Sequence, residues 1–299
     1  MRRILYFLGT NFAIIIVLGI FLTIITPFLP PELRSGLLGN FFFSAIFGFG
    51  GAFISLMMSK SIAKRAAGVQ VITKPSNSTE RWLLETVERQ AKLAGIGMPE
   101  VGIFPSPQPN AFATGAKRDN ALVAVSVGLL NNMTQGEVEA VLGHEVAHVA
   151  NGDMVTMTLL QGVLNTFVFF FARLVAQAID RGNRGGLGYF ATYMVMQMVF
   201  GFIASMITAS FSRAREYRAD AGGAAFSSKE KMIAALEKLK HGQAGELPNQ
   251  LAAFGISSGM KKMFSTHPPL DDRIAALREI DTNELASIGE VNTGTVVRS

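Results

Sequence analysis

The sequence predicts a mainly α-helical, multi-pass membrane protein that carries an α/β domain with a small β-sheet, and three observations predict it. Of 299 residues, 49% are apolar and only 16% charged, with a mean hydropathy of +0.33, an unusual balance for a chain without membrane spans. Four stretches are long and apolar enough to cross a bilayer, for which about 20 residues suffice. The polar stretches beside them repeat apolar residues with strand and helix periods.

The first apolar stretch, Ile4 to Pro31, carries no charge. Met1-Arg2-Arg3 has the form of a signal-peptide start. The apolar run is too long for one, however, and no small-x-small cleavage site follows, so the segment is read as a retained span. Ser35 to Ser59 is equally free of charge, and residues 1–60 form a transmembrane pair with spans at about 4–26 and 37–59. Met154 to Ala172, continuing past Arg173 to Ile179, and Gly185 to Ser212 make a second hairpin over 154–212, connected through Gly182, Gly185, Gly186 and Gly188. It either crosses the bilayer or packs partly on the polar domain. Arg2 and Arg3, then Lys60, Lys64 and Arg65, then Arg213, Arg215 and Arg218 fall on one side if every segment crosses, against Arg34, Arg181 and Arg184 on the other. That bias places both termini and the polar bulk in the cytoplasm. The net charge of +5 is explained by these flanking residues, and no basic patch interleaved with aromatics points to nucleic acid.

Residues 61–153 read as the first part of a small α/β domain. Val69 to Thr73 alternates as a short strand. Asn77 and Glu80 form a start signal for a helix to about Ala94, which Gly95 and Gly97 stop. Val101 to Phe104, Ala111 to Thr114 and Ala121 to Val127 read as strands between proline- and glycine-rich turns. Thr134 and Glu137 make a capping box that opens the next helix, and Gly152 stands where a C-terminal cap belongs. Residues 213–285 supply the second part as helices over roughly 213–225, 228–240 and 269–280, and 286–299 reads as a frayed tail.

The helix behind Thr134 carries His144-Glu145-Val146-Ala147-His148. Positions i and i+4 share a helix face, so both imidazoles can bind one zinc ion. Glu145 can then act as general base on a water at the metal. The plain alternative is two core-facing histidines. A catalytic zinc needs a third protein ligand, and the chain has no cysteine, so a carboxylate is the candidate. Glu216 and Asp220, four apart on a predicted helix, share a face. One can bind metal while the other accepts a hydrogen bond from a ligand histidine. An antiparallel membrane hairpin returns this segment to the face that carries the histidines. Asp153 either orients a histidine or is a polar boundary residue. Arg273 either pairs with a site acid or lies on a solvated face, and His241 reads as a surface residue.

Four motifs occur in the order found in a known family: Asn110-Ala111-Phe112-Ala113, Gly143-His144-Glu145-Val146-Ala147-His148, Glu216-Tyr217-Arg218-Ala219-Asp220 and Ser265-Thr266-His267-Pro268-Pro269. With the four apolar segments, the chain resembles over nearly its whole length the HtpX family of bacterial membrane-integral zinc metalloproteases, in the CaaX-prenyl-protease superfamily. The resemblance implies a cytoplasmic gluzincin-like α/β metalloprotease domain holding one Zn2+ per chain. His144, His148 and Glu216 would be the ligands and Glu145 the catalytic acid/base. It further implies cleavage of misfolded or damaged membrane proteins at the bacterial inner membrane as stress-linked quality control, with protein substrates and the lipid bilayer as partners. In the family, the segment at Asn110, Ala111 and Phe112 lies by the active-site cleft, where an edge strand could hold a peptide extended. His267 and Asn110 are candidate donors to the oxyanion.

Three other readings compete with this one. An intramembrane protease would bury its motif in lipid, whereas Glu137, Glu139 and Asn151-Gly152-Asp153 flank this one. A zinc-stabilised, non-catalytic membrane adaptor would have no need of Glu145. Prenyl-peptide processing is suggested by the wider superfamily alone.

Overall fold

The computed structural model of the protein describes residues 20, 24, 26–28, 36–180, 186–243, 267–281, 284–285 and 287–288, leaving aside the side chains of 26 and 241–243. Most of the first predicted span, the connection through Gly182 and Gly185, the side chain of His241, Ser265 and Thr266, and nearly all of the tail lie outside the described residues.

Three described helices are long and apolar enough to cross a membrane: α1 (Leu37–Ala67), α5 (Asp153–Ile179) and α6 (Leu187–Phe226). The fold class is therefore as the sequence predicts. α6 differs from the sequence expectation in being one unbroken helix of 40 residues rather than a span followed by a separate helix over 213–225. At 1.5 Å per residue it extends about 60 Å, roughly twice the hydrocarbon thickness of a bilayer. No proline interrupts the change from apolar to charged positions, so the hydrogen-bond ladder continues through it.

The described chain divides into two compact units. The first, Met1–Leu56 with Val155–Ala209, holds the apolar portions of α1, α5 and α6. Gly48 and Gly162 permit close approach of α1 and α5: a Cβ at Gly48 would stand 2.6 Å from Thr166 Oγ1, and one at Gly162 2.7 Å from the Phe49 ring. Phe41 and Phe170 meet edge to face at 5.6 Å within a cluster completed by Leu37 and Leu174. Large apolar side chains such as Phe47, Phe53, Met198 and Phe202 remain exposed, as lipid-facing positions require.

The second unit, Met57–Met154 with Ser210–Ser299, is the α/β domain. Its sheet comprises β1 (Gln70–Val71), β2 (Glu100–Phe104), β3 (Ala111–Thr114) and β4 (Leu122–Ser126), in the spatial order β1-β2-β4-β3. β2 and β4 run parallel, and β1 and β3 pair antiparallel to β2 and β4. Leu122 to Ser126 is buried at every position because both faces of β4 are covered. On one face Val123 and Val125 join Leu83 and Val87 of α2 (Ser78–Ala94) and Leu142 and Val146 of α4 (Gln135–Asn151). On the other, Leu122 and Ala124 pack with Phe104 and Phe112. β3 is left at the sheet edge. A short helix α3 (Val127–Asn132), where the sequence suggested only the end of a strand, starts on Ser126, whose hydroxyl accepts from Leu129 N.

The local stop and start signals are those read from the sequence. The Asn77 side chain caps α2 by accepting from Glu80 N at 2.8 Å, and Gly95 ends the helix at φ 64°. Thr134 and Glu137 form the reciprocal capping box of α4, and Gly152 terminates it at φ 69°. α7 (Lys229–Gln243) and α8 (Leu270–Glu279) complete the unit.

Candidate metal centre

α4 turns His144 and His148 to the same side, with Nε2 atoms 3.1 Å apart and ring planes at 89°. Both imidazoles are buried. Each Nδ1 is engaged by a buried carboxylate: His144 by Asp220 Oδ1 at 2.9 Å and His148 by Asp153 Oδ2 at 2.6 Å. A carboxylate accepts, so each Nδ1 carries a hydrogen, and in the neutral ring each Nε2 then presents a lone pair. Between neutral rings two lone pairs would face each other across 3.1 Å, an arrangement that a shared cation, metal or proton, relieves.

Glu216 reaches the same point from α6. Its Oε1 lies 3.4 Å from His148 Nε2 and its Oε2 3.6 Å from His144 Nε2. The residue is buried, yet Oε2 accepts no hydrogen bond. The three ligand atoms all lie within 4.8 Å of one another. Atoms bound tetrahedrally at zinc distances stand about 3.4 Å apart, so these separations fit such an ion.

Close packing of α6 on α4 brings Glu216 there. A Cβ on Gly222 would be 2.5 Å from Ala147 Cβ, and one on Gly223 would be 3.0 Å from His144 N. Only glycine permits this approach, about two turns beyond Glu216 and within a turn of Asp220, so the metal geometry depends on two residues that carry no chemistry.

Arginines hold the orienting acids. Arg273 donates through Nε to Asp220 Oδ2 at 2.7 Å and through Nη2 to Oδ1 at 2.6 Å, and its Nη1 stands 3.3 Å from Glu216 Oε2. Arg215 donates to the Asp153 carbonyl at 3.3 Å, and Arg218 approaches the Asp153 carboxylate at 3.7 Å. Three buried carboxylates, Asp153, Glu216 and Asp220, outnumber the two buried guanidiniums of Arg215 and Arg273, which leaves the pocket acidic and suited to a cation. Burial works to lower the pKa of His148, but the hydrogen-bonded carboxylates of Asp153 and Glu216 outweigh it and push it up to about 9. A metal ion therefore competes with a proton for this ring.

The centre opens into a cleft of about 710 Å³ lined by Asn110, Ala111, Glu145, His267 and Arg273, among others. Glu145 is half-buried there, beside the first histidine. His267 is on the cleft wall, its side chain 63% exposed and its Nε2 3.6 Å from Glu216 Oε2. The Asn110 backbone is pinned by Ser126, whose Oγ accepts from Asn110 N and whose N donates to Asn110 O, both at 2.9 Å. Phe112 lies elsewhere: its ring is 5.4 Å from Phe104 in the cluster on the far face of the sheet. The Phe112 side chain therefore takes no part in the cleft. Sequence reasoning overlooked the pairing of Arg215 with Asp153 and left Arg273 open. Neither has a local signal, because each contact joins segments distant in the chain.

A model of peptidase family M48 matches residues 77–281. Protease HtpX of Stenotrophomonas maltophilia (strain K279a) is 59% identical over 288 residues, covering 93% of this chain and 98% of the relative. Protease HtpX of Xanthomonas axonopodis pv. citri (strain 306) is 59% identical over 289 residues, covering 93% and 97%. The crystal structure of S. mikatae Ste24p aligns with a TM-score of 0.58 at 18% identity, covering 79% of this chain and 58% of that one, a likeness of fold.

Proposed function

The chain belongs to peptidase family M48, and from that membership we propose that it is a zinc endopeptidase cutting misfolded or damaged membrane proteins at the cytoplasmic face of the bacterial inner membrane. Family and apolar helices together make it a membrane metalloprotease. Zinc, the cytoplasmic face, the substrates and a role in stress are the finer reading.

The observation that carries this reading is the centre itself: two imidazole lone pairs aimed at one point, with a buried Glu216 oxygen that accepts no hydrogen bond beside it. His144, His148 and Glu216 would hold the ion, and the chemistry it supplies when bound is Lewis-acid activation of water and polarisation of the scissile carbonyl. Asp220 and Asp153 keep both rings in the tautomer that leaves Nε2 free to bind. Glu145 removes the attacking water's proton and delivers it to the departing amine. The outer edge of β3 can pair with an extended peptide, whose carbonyl is then fixed over the centre. His267 and Asn110 line the cleft and would donate to the oxyanion. The basic residues beside the apolar segments support the cytoplasmic placement.

In Glu145→Gln, metal content and melting should match the parent while cleavage of an unfolded membrane substrate in proteoliposomes is lost. Parental cleavage rates would remove Glu145 as the base. Because the chain has no cysteine, Lys92→Cys on the exposed face of α2 gives a unique label. Reaction with an impermeant maleimide from the periplasmic side would overturn the orientation.

A further inference from the structure

The connection from β3 to β4 carries two cations that the metal centre leaves unused. Lys117 is exposed and Arg118 half-buried, and among the described residues neither side chain makes a hydrogen bond or an ion pair. The Arg118 Nε is buried without a partner. A guanidinium nitrogen in that state calls for an acceptor from outside the chain.

The segment that holds them is tightly built. A Cβ on Gly115, at φ 147°, would stand 2.8 Å from Asn120 O, so the two ends of the connection touch. Asn120 N donates to Lys117 O at 3.1 Å, closing a single 3-10 turn over Arg118–Asn120. Asp119 is engaged elsewhere, its Oδ1 accepting from Gly97 N at 2.8 Å. Lys117 and Arg118 are thus presented from a fixed backbone, which reduces the entropy lost when a ligand binds.

This turn is tied to α1 where that helix leaves its apolar stretch. From Leu37 to Ser59 the helix is uncharged over about 35 Å, enough to cross a hydrocarbon layer of about 30 Å. Lys60, the first charge beyond it, falls at headgroup depth. Its side chain is only 16% exposed, because Nζ donates to Asn120 Oδ1 at 2.6 Å and pairs with Glu100 Oε1 at 2.9 Å. Lys64 takes the other oxygen of Glu100. Four cations, Lys60, Lys64, Lys117 and Arg118, therefore stand against two carboxylates, Glu100 and Asp119, and the excess positive charge rests on Lys117 and Arg118.

We infer that Lys117 and Arg118 bind the phosphate of an anionic phospholipid headgroup in the leaflet where α1 emerges. The sign of the charge, the fixed turn and the depth set by Lys60 all suit that ligand, and a guanidinium offers phosphate two parallel hydrogen bonds. β3 runs from Ala111, which lines the cleft, to Thr114 and into this turn, a distance of about 10 Å. Lipid bound at the turn anchors the strand that borders the cleft to the membrane surface. The contact involves no hydrolytic step, so it stands or falls apart from the peptidase reading.

The chain has no cysteine, so Ala116→Cys carries a single fluorophore beside the two cations. In the detergent-purified full chain, dihexanoyl phosphatidylglycerol below its micellar concentration should change the emission saturably, and dihexanoyl phosphatidylcholine should not. Adding Lys117→Gln and Arg118→Gln together should raise the apparent Kd about tenfold or more, since each basic residue near an anionic surface contributes roughly a factor of five. Equal responses to the two lipids, an unchanged Kd in a double variant that melts normally, or inorganic phosphate bound as tightly as the lipid would each overturn the assignment. In nanodiscs containing phosphatidylglycerol, nitroxide carried on headgroups should quench the label more than nitroxide at the acyl-chain ends. The reverse order, or no quenching by either, would overturn the depth on which the contact depends.

Discussion

Asp220 Oδ1 lies 2.9 Å from His144 Nδ1, across 76 residues of chain. The same carboxylate takes two hydrogen bonds from Arg273, so one buried acid sets the ring tautomer and neutralises a buried guanidinium. In Asp220→Asn the amide can donate where the carboxylate accepts, which favours a hydrogen on Nε2 and blocks the lone pair a metal needs. Zinc affinity should fall about ten- to hundredfold, and Arg273 should lose half its partner. Competition with a graded series of chelators measures the first effect. Parental affinity would mean that the contact orients nothing.

Glu216 stands in a different relation to the centre, since its Oε2 is buried without a hydrogen bond. Its contact with Arg273 Nη1 at 3.3 Å is an ion pair without a hydrogen bond, which leaves Oε2 a lone pair for a metal. Glu216→Ala should therefore lose zinc more severely than Asp220→Asn, with activity falling in parallel. Metal analysis after dialysis against a weak chelator decides it. Zinc retained at parental affinity would remove Glu216 from the ligand set.

The contact of Gly222 with Ala147 makes a prediction about a residue with no side chain. In Gly222→Ala the new methyl would lie 2.5 Å from Ala147 Cβ, between the two histidines of α4. Helix α6 must move away, at a cost of about 1–3 kcal/mol, and Glu216 and Asp220 move with it. A lowered melting temperature together with weaker zinc retention is expected. If stability dropped but zinc affinity did not, the close approach would serve packing alone.

Sequence reading succeeded where the physics is local. The Thr134–Glu137 capping box, the Gly95 and Gly152 stops and the i, i+4 histidines each depend on residues within one or two turns, and each is found as expected. Apolar runs announced α1, α5 and α6 for the same reason, since a bilayer imposes a length and a composition. What stayed hidden depends on contacts between distant segments. Nothing near Arg273 reveals that it meets Asp220, and nothing near Arg215 reveals Asp153. Phe112 shows the limit well: alternation correctly makes Ala111–Thr114 a strand, but which face looks onto the cleft is decided by α4 covering one side and Phe104 the other. The unbroken course of α6 was missed because the change from apolar to charged residues reads as a boundary, although helix hydrogen bonds do not respond to it.

Glu139 supports the last prediction, which concerns stability against pH. It lies on α4 one turn before Gly143 and is buried, with Arg89 of α2 donating to Oε1 and Lys231 of α7 to Oε2, both at 2.6 Å. Burial works to raise its pKa, yet the hydrogen bonds from Lys231 and Arg89 outweigh that and hold it below the ordinary carboxylate value. A group whose pKa is depressed on folding stabilises the protein above its unfolded value and ceases to do so as pH falls through the folded one. Because Arg89 and Lys231 are about half exposed, solvent screens the pairs, and Glu139→Gln should cost only about 1–2 kcal/mol at pH 7. Melting curves of the zinc-loaded parent and variant should therefore differ by a few degrees at neutral pH and converge as the pH drops below about 4. A gap of constant size down to that pH would mean that the carboxylate's charge contributes nothing and that its shape alone is needed where three helices meet.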